Sequence, residues 1–437
     1  MTRRTMAAWF AAALAAALAS GCASVSGGGG TVAGTGKPSG PTATPTAKMT
    51  ATPTATPTGV APSTSGPAQE FWPASLDMTS ATAGWALYAA QSPAGTASQP
   101  TLLARTVDGA RNWTDVTPAA ARTMLATVFA SQALDPVDSE HAYLAVSPAT
   151  QDTSTTPAPA AVFATADGGR TWTESAPFTV DGSVIQVTFA DARHGWLLTD
   201  AGLSATGAPL PWLYRTTDGG LHWSQAAIAP PPGEGGPNDM CLLLGVAFPT
   251  ATTGWVRVGC RSGDYLAEST DGGSTWAVQS LPTSSTCGPV AQCQLFGPTL
   301  SSGTAYLTVT PTTTASPSLL ASGDLGQSWH LLPLPADAEQ YPQVTFFGSD
   351  EGLLVPTASQ EAFGTVFYTT TDGGQTWSPV PQGAHFTQLG AALDFVTAQD
   401  GFSWTQAGDT QGSTPPPLYA TTNSGATWTS FTPEVTS

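Results

Sequence analysis

The chain has 437 residues, of which 30 are acidic and 12 basic, giving a formal net charge of −18. Its two lysines, Lys37 and Lys48, both precede residue 70. An acidic chain of this kind argues against nucleic acid or anionic lipid as a ligand, because both are gripped by clustered positive charge.

Residues 1–22 read as a targeting segment. Arg3 and Arg4 supply the positive start, and residues 7–18 form an apolar core too short to persist as a membrane-spanning helix. Ala19-Ser20-Gly21-Cys22 resembles a bacterial lipobox, which implies that Cys22 is lipidated and becomes the mature N-terminus. An ordinary signal peptide cut nearby is the alternative, and the arginine pair does not decide the export route. Residues 23–69 are mostly Gly, Ser, Thr, Pro and Ala, with almost nothing apolar to offset the entropy of ordering. This stretch is expected to be a disordered, proline-stiffened tether. With the lipobox resemblance, the two segments imply that the rest of the chain is expected outside the cell, held to the outer face of the cytoplasmic membrane through a lipid anchor only.

Beyond residue 70 one pattern returns seven times. Thr165-Ala166-Asp167-Gly168-Gly169-Arg170-Thr171-Trp172 is a full copy. Counterparts end at Trp223, Trp276, Trp329 and Trp377, and two weaker ones at Trp113 and Trp428. Their acidic positions are Asp108, Asp167, Asp218, Asp271, Asp324 and Asp372, with Asn423 in the seventh. The interval between them runs from 48 to 59 residues, the mark of a repeat architecture. Apolar runs on either side of an Asp-Gly-Gly cluster predict a β-hairpin whose turn needs residues that tolerate positive φ. The aspartate accepts bonds from nearby amides, and the Trp buries a large face as the next strand begins.

A second signal keeps time with the first. Gly84-Trp85, Gly195-Trp196, Gly254-Trp255, Gly352-Leu353 and Gly401-Phe402 each precede a copy, and Met78, Phe189, Phe248, Phe346 and Phe395 stand six residues before the glycines. Repeats two and five are less regular. Two strands about this signal and two about the Asp-Gly-Gly turn make four per period, which is one propeller blade. The expected architecture is an all-β, seven-bladed β-propeller over residues 70–437, in a single ring of four-stranded antiparallel blades.

The turn motif resembles the Asp-box, also called the bacterial neuraminidase repeat, and with the Phe-x(5)-Gly-Trp signal is most similar to the photosystem II stability and assembly factor-like branch. The resemblance implies that the box aspartates are structural, at the blade edge away from the ligand face, and that the protein binds rather than catalyses. Insertions at residues 89–100, 146–159, 230–240, 332–343 and 406–417 lie between second and third strands or between blades. In propellers such connections emerge opposite the box turns, so that face is expected to meet a protein or glycan. Trp212, Asp239, Asp337, Glu339 and Tyr341 are the candidate ligand residues there. The phasing gives no sign of strand exchange between the first and last blades, so closure is expected to rest on packing, and a monomer is expected.

Four cysteines besides Cys22 allow three pairings. Folding the chain about residues 249–253 sets Cys241 opposite Cys260, a geometry suited to a cross-strand disulfide. Cys287 and Cys293 would then close a short loop, and both bridges suit an oxidising exterior. A four-thiolate zinc site competes, but the pairs lack C-x₂₋₄-C spacing.

A sialidase needs three arginines around the substrate carboxylate, and no basic residue follows Arg261. A hydrolase using two loop carboxylates is the alternative function, drawing on Asp239, Glu234, Asp337, Glu339 and Glu361. The five histidines form no ligand-spaced pair, and the Asp-Gly-Gly turns lack the lysine of a phosphate loop. No metal or cofactor is expected.

Overall fold

The structure, a computed structural model, describes residues 71–436 apart from 91–99, 127–129, 148–157, 204–208, 227–240, 261–262, 283–292, 312–315, 337, 339–341, 360–361, 364–365, 383–390 and 406–416. The targeting segment with Cys22 and the tether therefore lie outside the described residues, as do Asp239, Asp337, Glu339, Tyr341 and Cys287.

Seven antiparallel sheets follow one another along the chain. The first is β1 (Phe71–Met78), β2 (Gly84–Ala90), β3 (Pro100–Thr106) and β4 (Asn112–Asp115). The second holds β5 (Ser131–Pro136), β6 (Ala142–Ser147), β7 (Ala158–Thr165) and β8 (Thr173–Glu174), with β9 (Phe178–Val180) also on β7. The third is β10 (Ser183–Phe189), β11 (Gly195–Leu203), β12 (Pro209–Thr216) and β13 (Ser224–Ala226). The fourth is β14 (Cys241–Ala247), β15 (Gly254–Cys260), β16 (Gly263–Ser269) and β17 (Ala277–Val278). The fifth is β18 (Cys293–Ser301), β19 (Thr304–Pro311), β20 (Ser318–Ser322) and β21 (His330–Leu332). The sixth comprises β22 (Gln343–Phe346), β23 (Gly352–Val355), β26 (Val366–Thr370) and β27 (Ser378–Pro381). A small hairpin, β24 (Thr357–Ser359) with β25 (Ala362–Phe363), interrupts that sheet between its second and third strands. The seventh is β28 (Ala391–Phe395), β29 (Gly401–Thr405), β30 (Leu418–Thr421) and β31 (Thr429–Phe431).

The apolar interior is divided in the same way. Each of seven buried clusters draws side chains from two successive sheets, and one joins the last sheet to the first through Met78, Trp113, Phe402 and Trp404. Sheets whose two faces are both covered by neighbours, in a closed cycle of seven, are a seven-bladed β-propeller. A seven-residue helix, α1 (Ala119–Leu125), is the one departure from all-β among the described residues. It lies in the longest interval of the repeat and buries Ala121 and Leu125 between blades one and two.

Ring closure corrects the sequence expectation. The last strand, β32 (Glu434–Thr436), leaves blade seven and pairs in parallel with β4 on the outer side of blade one. Closure therefore rests on packing and on exchanged backbone pairing. The phasing could not show this, because the donated strand follows the last box and belongs to no period.

The Phe-x(5)-Gly-aromatic signal has a packing cause. In blade three Gly195 pairs with both Phe189 and Thr216, and a Cβ on it would lie 2.5 Å from the Phe189 ring. In blade four a Cβ on Gly254 would lie 2.2 Å from Phe248. Glycine is there because the ring lies flat across it. Each ring then links two blades. Tyr143 of blade two stacks on Phe189 of blade three at 3.5 Å, and Trp196 of blade three on Phe248 of blade four at 3.6 Å. The same phenylalanines meet the box tryptophans of their own blades edge to face, Trp223 and Trp276, each at 6.0 Å.

Blades two and five show the converse. Their equivalent positions are Pro136 with Ala142 and Leu300 with Ala305, so there is no ring and no glycine. There the preceding blade's tryptophan meets the box tryptophan directly, Trp85 on Trp172 at 6.3 Å and Trp255 on Trp329 at 6.2 Å.

Candidate functional site: the box turns, the blade seams and the opposite face

Every box turn is wired alike. The Ser or Thr that opens it donates to the side chain two positions on, an aspartate in six copies and Asn423 in the seventh, at 2.8 to 3.0 Å. The same carboxylate oxygen accepts the backbone amide four positions further along, as Thr171 to Asp167 at 2.9 Å and Thr376 to Asp372 at 2.9 Å. Its second oxygen accepts that residue's side chain, for example the Thr171 hydroxyl at 2.6 Å. The two residues after the acid both have positive φ, as in Gly168 at 71° and Gly169 at 81°. Ala110, Leu325 and Ser424 take such positions at 64°, 59° and 60°, at the steric expense glycine avoids.

Two substitutions in the motif keep the geometry by different chemistry. His222 stands in the Thr slot of the third box, and its Nδ1 lies 2.7 Å from Asp218. In the seventh box Asn423 replaces the carboxylate. Its amide oxygen still accepts the Thr427 amide at 2.9 Å, but its NH₂ now donates to the Thr427 hydroxyl at 2.8 Å. A carboxylate can only accept, so the bond reverses with the change of residue.

These bonds hold the carboxylates in their charged form. Asp167, Asp271, Asp324 and Asp372 are held down at about 2 by the side-chain hydroxyl and then the amide of the fourth residue on. Asp218 sits at about 2 through the His222 amide and then its ring. Partial burial pushes Asp108 up, and the bonds from Asn112 overcome it. Groups so fixed are poor general acids, which need a raised pKa.

A second layer of bonds ties each box to its blade. The turn between first and second strands closes on a side chain: Asp138 accepts the amides of Glu140 and His141, and Asp191 those of Arg193 and His194. The residue after the box acid then donates to that turn, Gly168 to Glu140 O at 2.9 Å and Gly219 to Arg193 O at 2.9 Å. Equivalent bonds run in blades one, four, six and seven. Blade five turns through Ser302 and Gly303 alone, and no such bond is present among its described residues.

Polar side chains stitch one blade to the next, and these were missed in the sequence. Asp135 accepts the Phe189 amide at 2.8 Å between blades two and three, and Asp394 the Met78 amide at 2.6 Å between seven and one. Gln186 grips both backbone groups of Val246, at 2.8 and 2.9 Å, between three and four. Asp264 accepts the Leu295 amide at 3.0 Å while Arg257 donates to the Leu295 carbonyl, between four and five. Burial pushes Asp264 up, partly offset by the Leu295 amide and Arg257. A legible signal did exist: Asp135 and Asp394 each interrupt an apolar innermost strand just before the Pro or Phe of the repeat.

Five of the seven described arginines, Arg257 included, belong to the same framework, while Arg122 pairs with Asp115 and Arg111 lies over the Phe431 ring. Arg105 bonds Ser139 O and Glu140 across the seam of blades one and two, and Arg170 bonds Asp167 O. Arg193 reaches Thr217 O and Arg215 reaches Ser274, both among the turns. The strand ends that bound the connections assigned to ligand recognition, such as Ala90 with Pro100 and Ser147 with Ala158, lie at the other end of the blades. Trp212 lies towards that end of β12, paired with Thr199 of β11, and its side chain is outside the described residues. Cys241 and Cys260 are register partners at the same end of blade four. Among the described residues no cluster of three or more His, Cys, Asp or Glu could hold a metal ion.

Comparison with known proteins agrees with this architecture. The BNR/Asp-box repeat matches residues 368–379, the sixth box with its flanking strands. No curated protein matches the chain in sequence. Among solved structures, "YCF48 bound to D1 peptide" is 16% identical, with 78% of this chain and 91% of that one covered and a TM-score of 0.45. The GH74 xyloglucanase from Xanthomonas campestris is 18% identical, with coverage of 82% and 53% and a TM-score of 0.47. A prolyl endopeptidase structure is 11% identical, with coverage of 83% and 50% and a TM-score of 0.50. The chain thus spans about half the length of the last two. At such identities the likeness is one of fold. The protein is a seven-bladed β-propeller that carries BNR/Asp-box repeats.

Proposed function

We propose that this propeller is a non-catalytic binding or scaffolding module, lipid-tethered outside the cell, whose loop face recognises a protein or glycan. The observation that carries the reading is the state of the box carboxylates. Five of them, Asp167, Asp218, Asp271, Asp324 and Asp372, accept both the amide and the side chain of the residue four positions on and so are closed on their own turns, and the motif shared with sialidases serves here as a frame. Asp135, Asp264 and Asp394 bond the backbone of a neighbouring blade, which is likewise structural work. A ring braced on one face and carrying long connections on the other suits recognition by loops on a rigid scaffold.

The test is a set of single substitutions on the loop face, Asp239→Asn, Asp337→Asn, Glu339→Gln and Glu361→Gln, assayed for glycan hydrolysis and for glycan or protein capture. Capture lost at one or more positions without any turnover in the parent protein supports the module. Turnover abolished at two of the positions would replace it with a two-carboxylate hydrolase.

A further inference from the structure

The outer edge of blade one is filled by a strand from the far end of the sequence, and the manner of filling separates occupant from site. β32 contributes three residues, Glu434, Val435 and Thr436, opposite Asn112, Trp113 and Thr114. Glu434 donates its amide to Arg111 O at 2.9 Å, and the Thr436 hydroxyl donates to Trp113 O at 3.1 Å. Glu434 and Thr436 are exposed, while Val435 packs on the core shared by blades one and seven. Recognition thus consists of a short backbone ladder and one apolar anchor, which is how extended peptides add to a sheet edge. The pairing is parallel, so no hairpin ties donor to acceptor, and only residues 432–433 join the donor to blade seven.

We propose that the β4 edge is a strand-acceptor site that takes the C-terminal segment of a second copy in trans as well as its own in cis. Every copy carries both halves of the pairing. In cis the short connection gives an effective concentration on the order of millimolar, so the chain's own strand dominates until it is weakened or the protein is crowded. This inference concerns the rim between blades one and seven and is independent of the loop face.

Full-length protein carrying Val435→Asp, which removes the anchor, is to be titrated with a fluorescent peptide of the sequence of residues 430–437. Saturable binding is expected, with at least tenfold weaker binding to the unaltered protein, whose own strand competes. The same peptide with the Val435→Asp change should not bind. Glu434→Pro, which deletes the amide that donates to Arg111 O and leaves the core untouched, is the second variant and should also gain peptide binding. Either variant, with the near-UV circular dichroism of the parent and no peptide binding, overturns the proposal. Equal binding to variant and parent overturns it too, because the peptide would then sit elsewhere.

Discussion

At the scale of single residues, the box carboxylates couple stability to pH in a definite direction. Their folded-state values near 2 lie below the ordinary carboxylate range, so their contribution is complete above about pH 4 and is lost as pH falls towards 2. These groups are exposed and screened, so each contributes modestly and the effect is their sum. Chemical denaturation measured from pH 7 to pH 2 should show stability level down to about pH 4 and then falling. Asn423→Asp extends the same logic. It restores the acceptor used in the other six copies, so a seventh carboxylate should appear that titrates well below 4 by carbon-detected NMR. Stability relative to the parent should be equal or higher at pH 7, with any gain gone by pH 2.

The glycine beneath each ring gives a second residue-scale prediction. Gly254→Ala would set a Cβ 2.2 Å from Phe248, and overpacking of this kind costs on the order of 1–3 kcal/mol. Phe248→Leu alone should cost a similar amount, through lost stacking on Trp196 and a lost edge-to-face contact with Trp276. Blade five already uses Leu300 with Ala305. The double variant should therefore be clearly less damaged than the sum of the singles, by about 1 kcal/mol or more in a double-mutant cycle of denaturation midpoints.

At the scale of elements, the strands and turns were legible because they follow local rules. An Asp-Gly-Gly cluster needs two left-handed residues wherever it occurs, and the Phe-x(5)-Gly spacing reports a ring lying over a backbone in the adjacent strand. The irregularity of repeats two and five was visible as well, and its cause proved to be the joint loss of ring and glycine. The register of blade four also followed from the sequence, with Cys241 opposite Cys260. A disulfide there is expected to appear as a linked peptide pair on non-reducing mass spectrometry. Closing a loop of about twenty residues contributes about 3 kcal/mol in the chain-entropy account, so reduction should lower the melting temperature. What the sequence could not disclose were the partners of the side chains that reach across a seam, since Gln186 and Asp135 bond backbone groups some 54 to 60 residues away. Backbone groups carry no compositional signal.

At the scale of the whole molecule, the seven clusters make this a ring of interfaces around no common core, and the seam between blades seven and one must hold without a covalent link. It is held by Asp394 on the Met78 amide, by the Phe402 and Trp404 cluster, and by the final strand. Asp394→Ala leaves a buried amide short of its partner, which costs on the order of 1–3 kcal/mol. Hydrogen exchange at Met78 should quicken in that variant, whereas the Phe189 amide, held by Asp135 at another seam, should keep its rate. The candidate ligand face was readable only as a set of connections, because residue type and spacing do not say how loops of this length fold. The count of seven and the blade boundaries needed no more than the period.

Because the closing strand is an addition outside blade one and not a missing member of blade seven, the four strands of every blade come from one unbroken stretch of chain. A break between any two blades would therefore leave each set of four strands whole, and a duplicated segment of about fifty codons would arrive as a finished wedge. Growth by tandem copying is open to such a ring in a way denied to one whose last sheet is shared between both termini.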